Sequence, residues 1–237
     1  MTTNEAALIV FDLDGTLLDT LADLAAATNW ALRKHGLSER SVREVRSFVG
    51  NGTRRLMERA LAAAQRDEAR EVDVSLDALF QDFTAYYDVH LNDSTSVYPG
   101  IFEALASLRA GGYRLGMLSN KPHPAVLDLA ALYFPEQFDY LAGQKPGVPL
   151  KPDPAPLLSM MDEAGVRPEQ TVYIGDSEPD AQCSRAAGAH GVGVLWGFRD
   201  AEELQEAGME HLVSEASELP ALCAKLLTQD MRETENT

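Results

Sequence analysis

The stretch Phe11-Asp12-Leu13-Asp14-Gly15-Thr16, directly after the apolar run Ala6-Ala7-Leu8-Ile9-Val10, decides how this chain is read. An apolar run of this length followed by a glycine turn predicts a buried strand that ends in two carboxylates. Residues i and i+2 of an extended chain point the same way, so Asp12 and Asp14 are expected to face one cavity. Two like charges at the edge of a core repel one another and lose solvation, which is costly for a purely structural purpose. A hard divalent cation such as Mg²⁺ satisfies oxygen ligands of this kind. An ordinary acidic turn after a strand is the alternative, and the rest of the chain decides between them.

Strands and helices alternate beyond this point. Polar residues recur at three predicted strand ends: Asp12 and Asp14, then Ser119-Asn120-Lys121 after the strand from Arg114 to Leu118, then Asp176 and Asp180 after Thr171-Val172-Tyr173-Ile174. A loop from Gly143 to Pro156 with five prolines carries Lys151. Further strands are expected near Tyr140, over Val192 to Leu195 and at 211–213, and the polar tail from Gln229 is expected to fray. Such alternation indicates right-handed crossovers and a parallel sheet covered on both faces, with ligands outside the carboxyl ends of the strands.

The segment from about 17 to 93 breaks the pattern and reads as helices without a strand. Asp19-Thr20 is placed to cap the first of them, Ser38 to begin the second, and Gly50-Asn51-Gly52-Thr53 to precede the third. The expected fold is therefore a doubly wound, mostly parallel α/β core of Rossmann-like type, formed by residues 1–16 and 97–237, with a helical cap of residues 17–96 inserted after the first strand.

Composition bounds the function. The 237 residues carry a formal net charge of -17, with 45% hydrophobic and 24% charged residues, which argues against a nucleic-acid groove or an anionic membrane surface as partner. A phosphate site in such a shell needs local compensation by metal, lysine or backbone N–H groups. Cys183 and Cys223 show no metal or redox spacing and are expected to be reduced thiols. With no basic-then-apolar leader and no bilayer-length apolar run, the expectation is a soluble cytoplasmic protein, monomer or homodimer.

Taken together, Asp12-Leu13-Asp14-Gly15-Thr16, Ser119, Lys151-Pro152 and Gly175-Asp176-Ser177-Glu178-Pro179-Asp180 resemble the motifs of the haloacid dehalogenase superfamily in order and spacing. Within it, Val49-Gly50-Asn51-Gly52 followed by Leu56-Met57-Glu58-Arg59-Ala60-Leu61 is similar to the cap of bacterial phosphoglycolate phosphatases, as are Ser119-Asn120-Lys121-Pro122 and the run from Lys151 to Leu158. Related sugar-phosphate phosphatases share parts of these. The resemblance implies Asp12 as nucleophile, Asp14 as general acid and base, and Mg²⁺ held by Asp12, the backbone carbonyl of Asp14, and Asp176. It implies Ser119, Lys151 and N–H groups near Gly15 and Asn120 around the phosphate, and Asp180 as a support for Lys151 or a metal-bound water. Asn51, Arg54 and Lys121 are candidates for reading the carboxylate of a small phosphorylated acid, 2-phosphoglycolate first among them. Other sugar-phosphate or nucleotide phosphatases and phosphomutases of the superfamily are the alternatives. Dehalogenases do not require an acid at the position of Asp14. A phosphorylatable receiver domain, the non-enzyme alternative, lacks both the helical insertion and the Asp14-Gly15-Thr16 turn.

Overall fold

The computed structural model describes residues 7–67 and 73–234; Ala6 and the rest of residues 1–6, with 68–72 and 235–237, lie outside the described residues. The chain divides into two compact units, Met1–Leu17 with Val97–Thr237, and Leu18–Ser96.

In chain order the elements begin with β1 (Leu8–Phe11) and β2 (Leu18–Asp19). Four helices follow: α1 (Leu21–Lys34), α2 (Val42–Phe48), α3 (Thr53–Asp67) and α4 (Leu76–His90). Next come β3 (Ser96–Val97), α5 (Ile101–Ala110), β4 (Arg114–Pro122), α6 (His123–Tyr133), β5 (Tyr140–Gln144), α7 (Ala155–Ala164) and β6 (Thr171–Gly175). The chain closes with α8 (Glu178–Ala187), β7 (His190–Val194), α9 (Ala201–Glu206), β8 (His211–Val213) and α10 (Leu219–Thr234).

Among the described residues, six strands form one sheet in the order β5-β4-β1-β6-β7-β8, every pairing parallel. β1 is central because all four of its side chains are apolar and fully buried, each burial stabilising by roughly 1.5–3 kcal/mol. Leu8 and Val10 pack with Leu157, Met160, Tyr173 and Cys183 on the face covered by α7 and α8. Phe11 meets Phe138 edge to face at 6.2 Å. In register, Phe11 stands beside Met117 on one side and Ile174 on the other, which brings the carboxyl ends of β1 and β6 to one level, with β4 running on past them. The strand order reverses around β1, the position at which open α/β sheets bind ligands.

The helical unit has its own packing. Trp30 of α1 stacks on Tyr86 of α4 at 4.9 Å, and Asp23, buried, accepts hydrogen bonds from the Ser94 and Thr95 N–H groups and the Thr95 hydroxyl. That carboxylate fastens the end of the segment to its beginning.

Several sequence expectations shift. The second helix starts at Val42, not after Ser38, because Ser41 and Glu44 form a reciprocal capping box that satisfies two otherwise orphaned N–H groups. The interval read as wholly helical contains β2, and Leu18–Asp19 and Ser96–Val97 form a separate two-stranded sheet. β4 does not stop at Leu118 but continues through an irregularity to Pro122, which pairs with Gln144. β7 begins at His190 and ends at Val194, so Leu195 lies past its end. The last helix ends at Thr234. No helix among the described residues is long and apolar enough to cross a membrane.

Candidate active site

The site is built from the strand ends upward. Asp12 follows β1 directly, and its N–H donates to Ile174 O at 2.9 Å, continuing the ladder by one step. Its Oδ1 accepts from the Leu13 N–H at 2.7 Å and lies 3.0 Å from Lys151 Nζ. Burial pushes the Asp12 carboxyl up to about 7; the Lys151 ammonium opposes this, while the Asp180 and Asp14 charges reinforce it.

Lys151 is 2% exposed and its ammonium is held from several sides: it donates to Asp180 Oδ1 at 2.7 Å, to the Tyr173 hydroxyl at 2.8 Å and to Leu118 O at 3.0 Å. Burial alone would lower its proton affinity, but the Asp12 and Asp180 carboxylates win and raise it, so it is a permanent cation. Its backbone is pinned as well. The Asn120 amide donates to Lys151 O at 2.9 Å and accepts from the Lys151 N–H at 2.8 Å, so this side chain holds the lysine loop.

Asp176 follows β6 and is 1% exposed, with Oδ2 accepting from the Phe198 N–H at 2.8 Å and Oδ1 from the Thr16 hydroxyl at 3.0 Å. Burial, then the Asp180 and Asp12 charges, raise its proton affinity well above the ordinary carboxylate range despite those two donors. Asp12, Asp176 and Asp180 each offer a carboxylate oxygen within 4.8 Å of the others. Hard oxygen donors held this close, two of them driven toward protonation, fit a divalent cation that would relieve their repulsion.

Asp180 is a poorer ligand than the other two. Its Oδ2 accepts from the Asp176 and Ser177 N–H groups and the Ser177 hydroxyl, and its Oδ1 from Lys151 and Tyr173. Five donors leave little lone-pair capacity for a metal. The carboxylate instead caps α8 and holds Lys151.

Asp14 pairs with Lys121, whose Nζ stands 2.9 Å from Asp14 Oδ1 with only 1% of the lysine side chain exposed. Ser119 is buried at the same strand end, and its Oγ accepts from the Lys121 N–H at 3.3 Å. The core unit thus gathers Asp12, Asp14, Gly15, Ser119, Asn120, Lys121, Lys151, Asp176 and Asp180. Residues 9–194 match the family model described as haloacid dehalogenase-like hydrolase. The chain belongs to the haloacid dehalogenase-like hydrolase family.

Its similarity to relatives runs nearly end to end. A phosphoglycolate phosphatase of Cereibacter sphaeroides is 39% identical over 220 residues, covering 92% of this chain and 98% of the relative. One from Pseudomonas putida is 37% identical over 222 residues, covering 92% and 79%. A solved structure described as a predicted phosphoglycolate phosphatase from Haemophilus somnus superposes with a TM-score of 0.86 at 28% identity, covering 93% of this chain and 99% of that one. The enzyme class that goes with this membership is phosphoric monoester hydrolysis.

Two candidates sit in the helical unit of this haloacid dehalogenase-like chain. Asn51 is half-buried before α3, its Oδ1 accepting from Arg59 Nη2 at 2.8 Å. Arg54 is exposed, paired with Asp77, and its guanidinium lies 5.5 Å from the Phe80 ring centroid. Neither Cys183 nor Cys223 is in a disulfide; burial pushes both thiols up to about 12.

Sequence reasoning missed three supports. Tyr173 reads as an ordinary apolar strand position, yet its buried hydroxyl touches Lys151, Asp180 and Leu118 O. Thr16 carries no role in the motif as read, yet its hydroxyl donates to Asp176 Oδ1. The Phe198 N–H that holds Asp176 carries no side-chain signature, and only its place after the glycine of Trp196-Gly197-Phe198 hints at a close turn.

Proposed function

We propose that this chain hydrolyses small phosphomonoesters through a phosphorylated Asp12, with 2-phosphoglycolate, giving glycolate and phosphate, as its substrate. The observation that carries the reading is the buried Lys151 ammonium 3.0 Å from Asp12, with Asp176 at the end of the neighbouring strand. A carboxylate nucleophile needs no base at neutral pH, provided the phosphoryl charge is countered.

Asp12 attacks phosphorus, an Asp12 oxygen–phosphorus bond forms, and the bond to the leaving alkoxide breaks. Asp14 gives that alkoxide its proton, then takes one from the water that cleaves the aspartyl-phosphate. Lys151, the Ser119 hydroxyl and N–H groups near Gly15 and Asn120 hold the phosphoryl oxygens. Mg²⁺, held by Asp12, the Asp14 backbone carbonyl and Asp176, would supply most of the charge neutralisation.

Residues 17–96 serve as a cap that excludes water and selects the ester. A two-carbon acid offers little surface, so its carboxylate must be read by specific donors: Asn51 and its neighbouring N–H groups, with Arg54 or Lys121 adding positive charge. The relatives' name supports this substrate, and a soluble, cytoplasmic setting goes with it.

Phosphate release is measured on phosphoglycolate, glucose 6-phosphate, AMP and p-nitrophenyl phosphate, before and after chelation and Mg²⁺ restoration. Phosphoglycolate should be preferred and activity should vanish and return with the metal. Preference for hexose phosphates or nucleotides, isomer formation without phosphate release, or undiminished metal-free turnover would overturn the reading.

A further inference from the structure

We infer that Arg59 is a positioning residue that locks the Asn51 amide with its N–H donors turned outward, and thereby sets the preference for a substrate carrying a carboxylate. The inference rests on the reading above that the 49–52 loop meets that carboxylate.

Asn51 lies between Gly50 and Gly52, in the short loop that joins α2 to α3. Such a loop keeps much of its conformational freedom unless something outside it holds it, at an ordering cost of roughly 1–2 kcal/mol per residue. Arg59, half-buried on α3, reaches back over it. Its Nη1 donates to Phe48 O, the last residue of α2, and its Nη2 donates to Asn51 Oδ1, both at 2.8 Å. One planar fork therefore fastens the loop at its start and at Asn51.

The chemistry of the fork fixes which way the amide faces. A guanidinium has donors only, so it can meet only the oxygen of the Asn51 amide. The NH₂ group, with two donors, is turned away from Arg59. Without the clamp, rotation about the last side-chain torsion would exchange Oδ1 and Nδ2 at almost no cost, and half the orientations would present an acceptor to an anion. An acceptor repels a carboxylate, whereas a donor binds it. The guanidinium behind the amide also polarises it, strengthening the outward N–H groups. Two neighbouring arginines pair with carboxylates, Arg54 with Asp77 and Arg55 with Glu58. Arg59 places these two donors on neutral oxygens of the loop. A lysine could reach one of the two acceptors but lacks the rigid fork that spans both.

The test is a double-mutant cycle on the full-length Mg²⁺-loaded enzyme, read as the ratio of kcat/KM on phosphoglycolate to that on p-nitrophenyl phosphate. The second ester has no carboxylate to orient. Arg59→Ala should lower this ratio about 10–50-fold, mainly through KM for phosphoglycolate: a freely turning amide accounts for about twofold, and the regained freedom of the loop for the rest. Arg59→Lys should recover part of the loss. Asn51→Asp keeps an acceptor for Arg59 but replaces the donors by a charge, so its ratio should fall at least as far. In the Asn51→Ala background, Arg59→Ala should add almost nothing, because it acts through that amide.

Additive losses, or an Arg59→Ala loss equal on both esters, would overturn the inference. If Arg59→Ala lowers the melting temperature of the helical unit, Arg59→Lys carries the same comparison in a folded background. Failure of the underlying reading looks different: Asn51→Ala would then be silent on the ratio, or the wild type would favour another ester. An Asn51→Ala effect with a silent Arg59→Ala refutes the Arg59 role alone.

Discussion

Gly15 is the position where a single methyl group should separate the fold from the site. Its φ of +85° lies in the left-handed region, and an ideal Cβ there would stand 2.2 Å from Asp176 Oδ2 and 2.7 Å from Asp176 Cγ. The backbone component of Gly15→Ala costs about 1–2 kcal/mol. The steric component cannot be relieved without moving the Asp176 carboxylate, which breaks its bonds from the Phe198 N–H and the Thr16 hydroxyl. Hydrogen bonds of this kind contribute about 1–3 kcal/mol each, so the total loss should be on the order of 3–8 kcal/mol. Gly165, at the end of α7 in the same unit, isolates the backbone component: its φ is +64° and nothing lies within 4 Å of an added Cβ. Gly165→Ala should therefore cost only about 1–2 kcal/mol. Urea unfolding of both variants without metal measures that difference, and calorimetric Mg²⁺ titration reads the displaced ligand directly. Mg²⁺ affinity should fall by at least about tenfold in Gly15→Ala and stay at the wild-type value in Gly165→Ala. Equal destabilisation of the two variants, with unchanged Mg²⁺ affinity, would refute the claim that Gly15 is reserved for Asp176.

What the sequence discloses about this molecule is what short-range patterning encodes. Asp12 and Asp176 stand directly after apolar runs, so the strand and the charge at its end are legible together, and parallel pairing brings such ends to one level. Helix starts are harder, because Ser38 and Ser41 are equivalent until Glu44 is counted as the reciprocal partner of Ser41. The supports of the site lie beyond local reach. Tyr173 meets Lys151 from 22 residues away and Phe198 meets Asp176 from another 22, and no periodicity encodes either contact. Asn120 illustrates the same limit from the other side. The motif assigns its backbone N–H to the phosphate, and its side chain has a further task that the motif does not show, holding the backbone of Lys151. Motif residues therefore divide into those whose side chains gather at the strand ends and those that hold the first group still, a division that local sequence does not carry.

Asp12→Asn removes the attacking charge at almost constant volume, so turnover should fall below detection while the melting temperature stays equal or rises; phosphate release near the wild-type rate would contradict the assignment of Asp12. The second prediction concerns pH and follows from the raised carboxyls. With Asp12 at about 7 in the folded protein against an ordinary value near 3.8, and Asp176 shifted the same way, the metal-free folded state binds more protons than the unfolded state between those values. Metal-free stability should therefore decline as pH rises from about 4 through about 7, whereas Mg²⁺ present throughout, by binding the ionised carboxylates, should flatten or reverse that decline. Lys151, raised above its ordinary value of 10.5, adds no slope in this window because it is charged in both states. Thermal melts from pH 4.5 to 7.5 with and without Mg²⁺ check this, and a metal-free stability that climbs with pH would show that ionised Asp12 and Asp176 do not destabilise the metal-free fold.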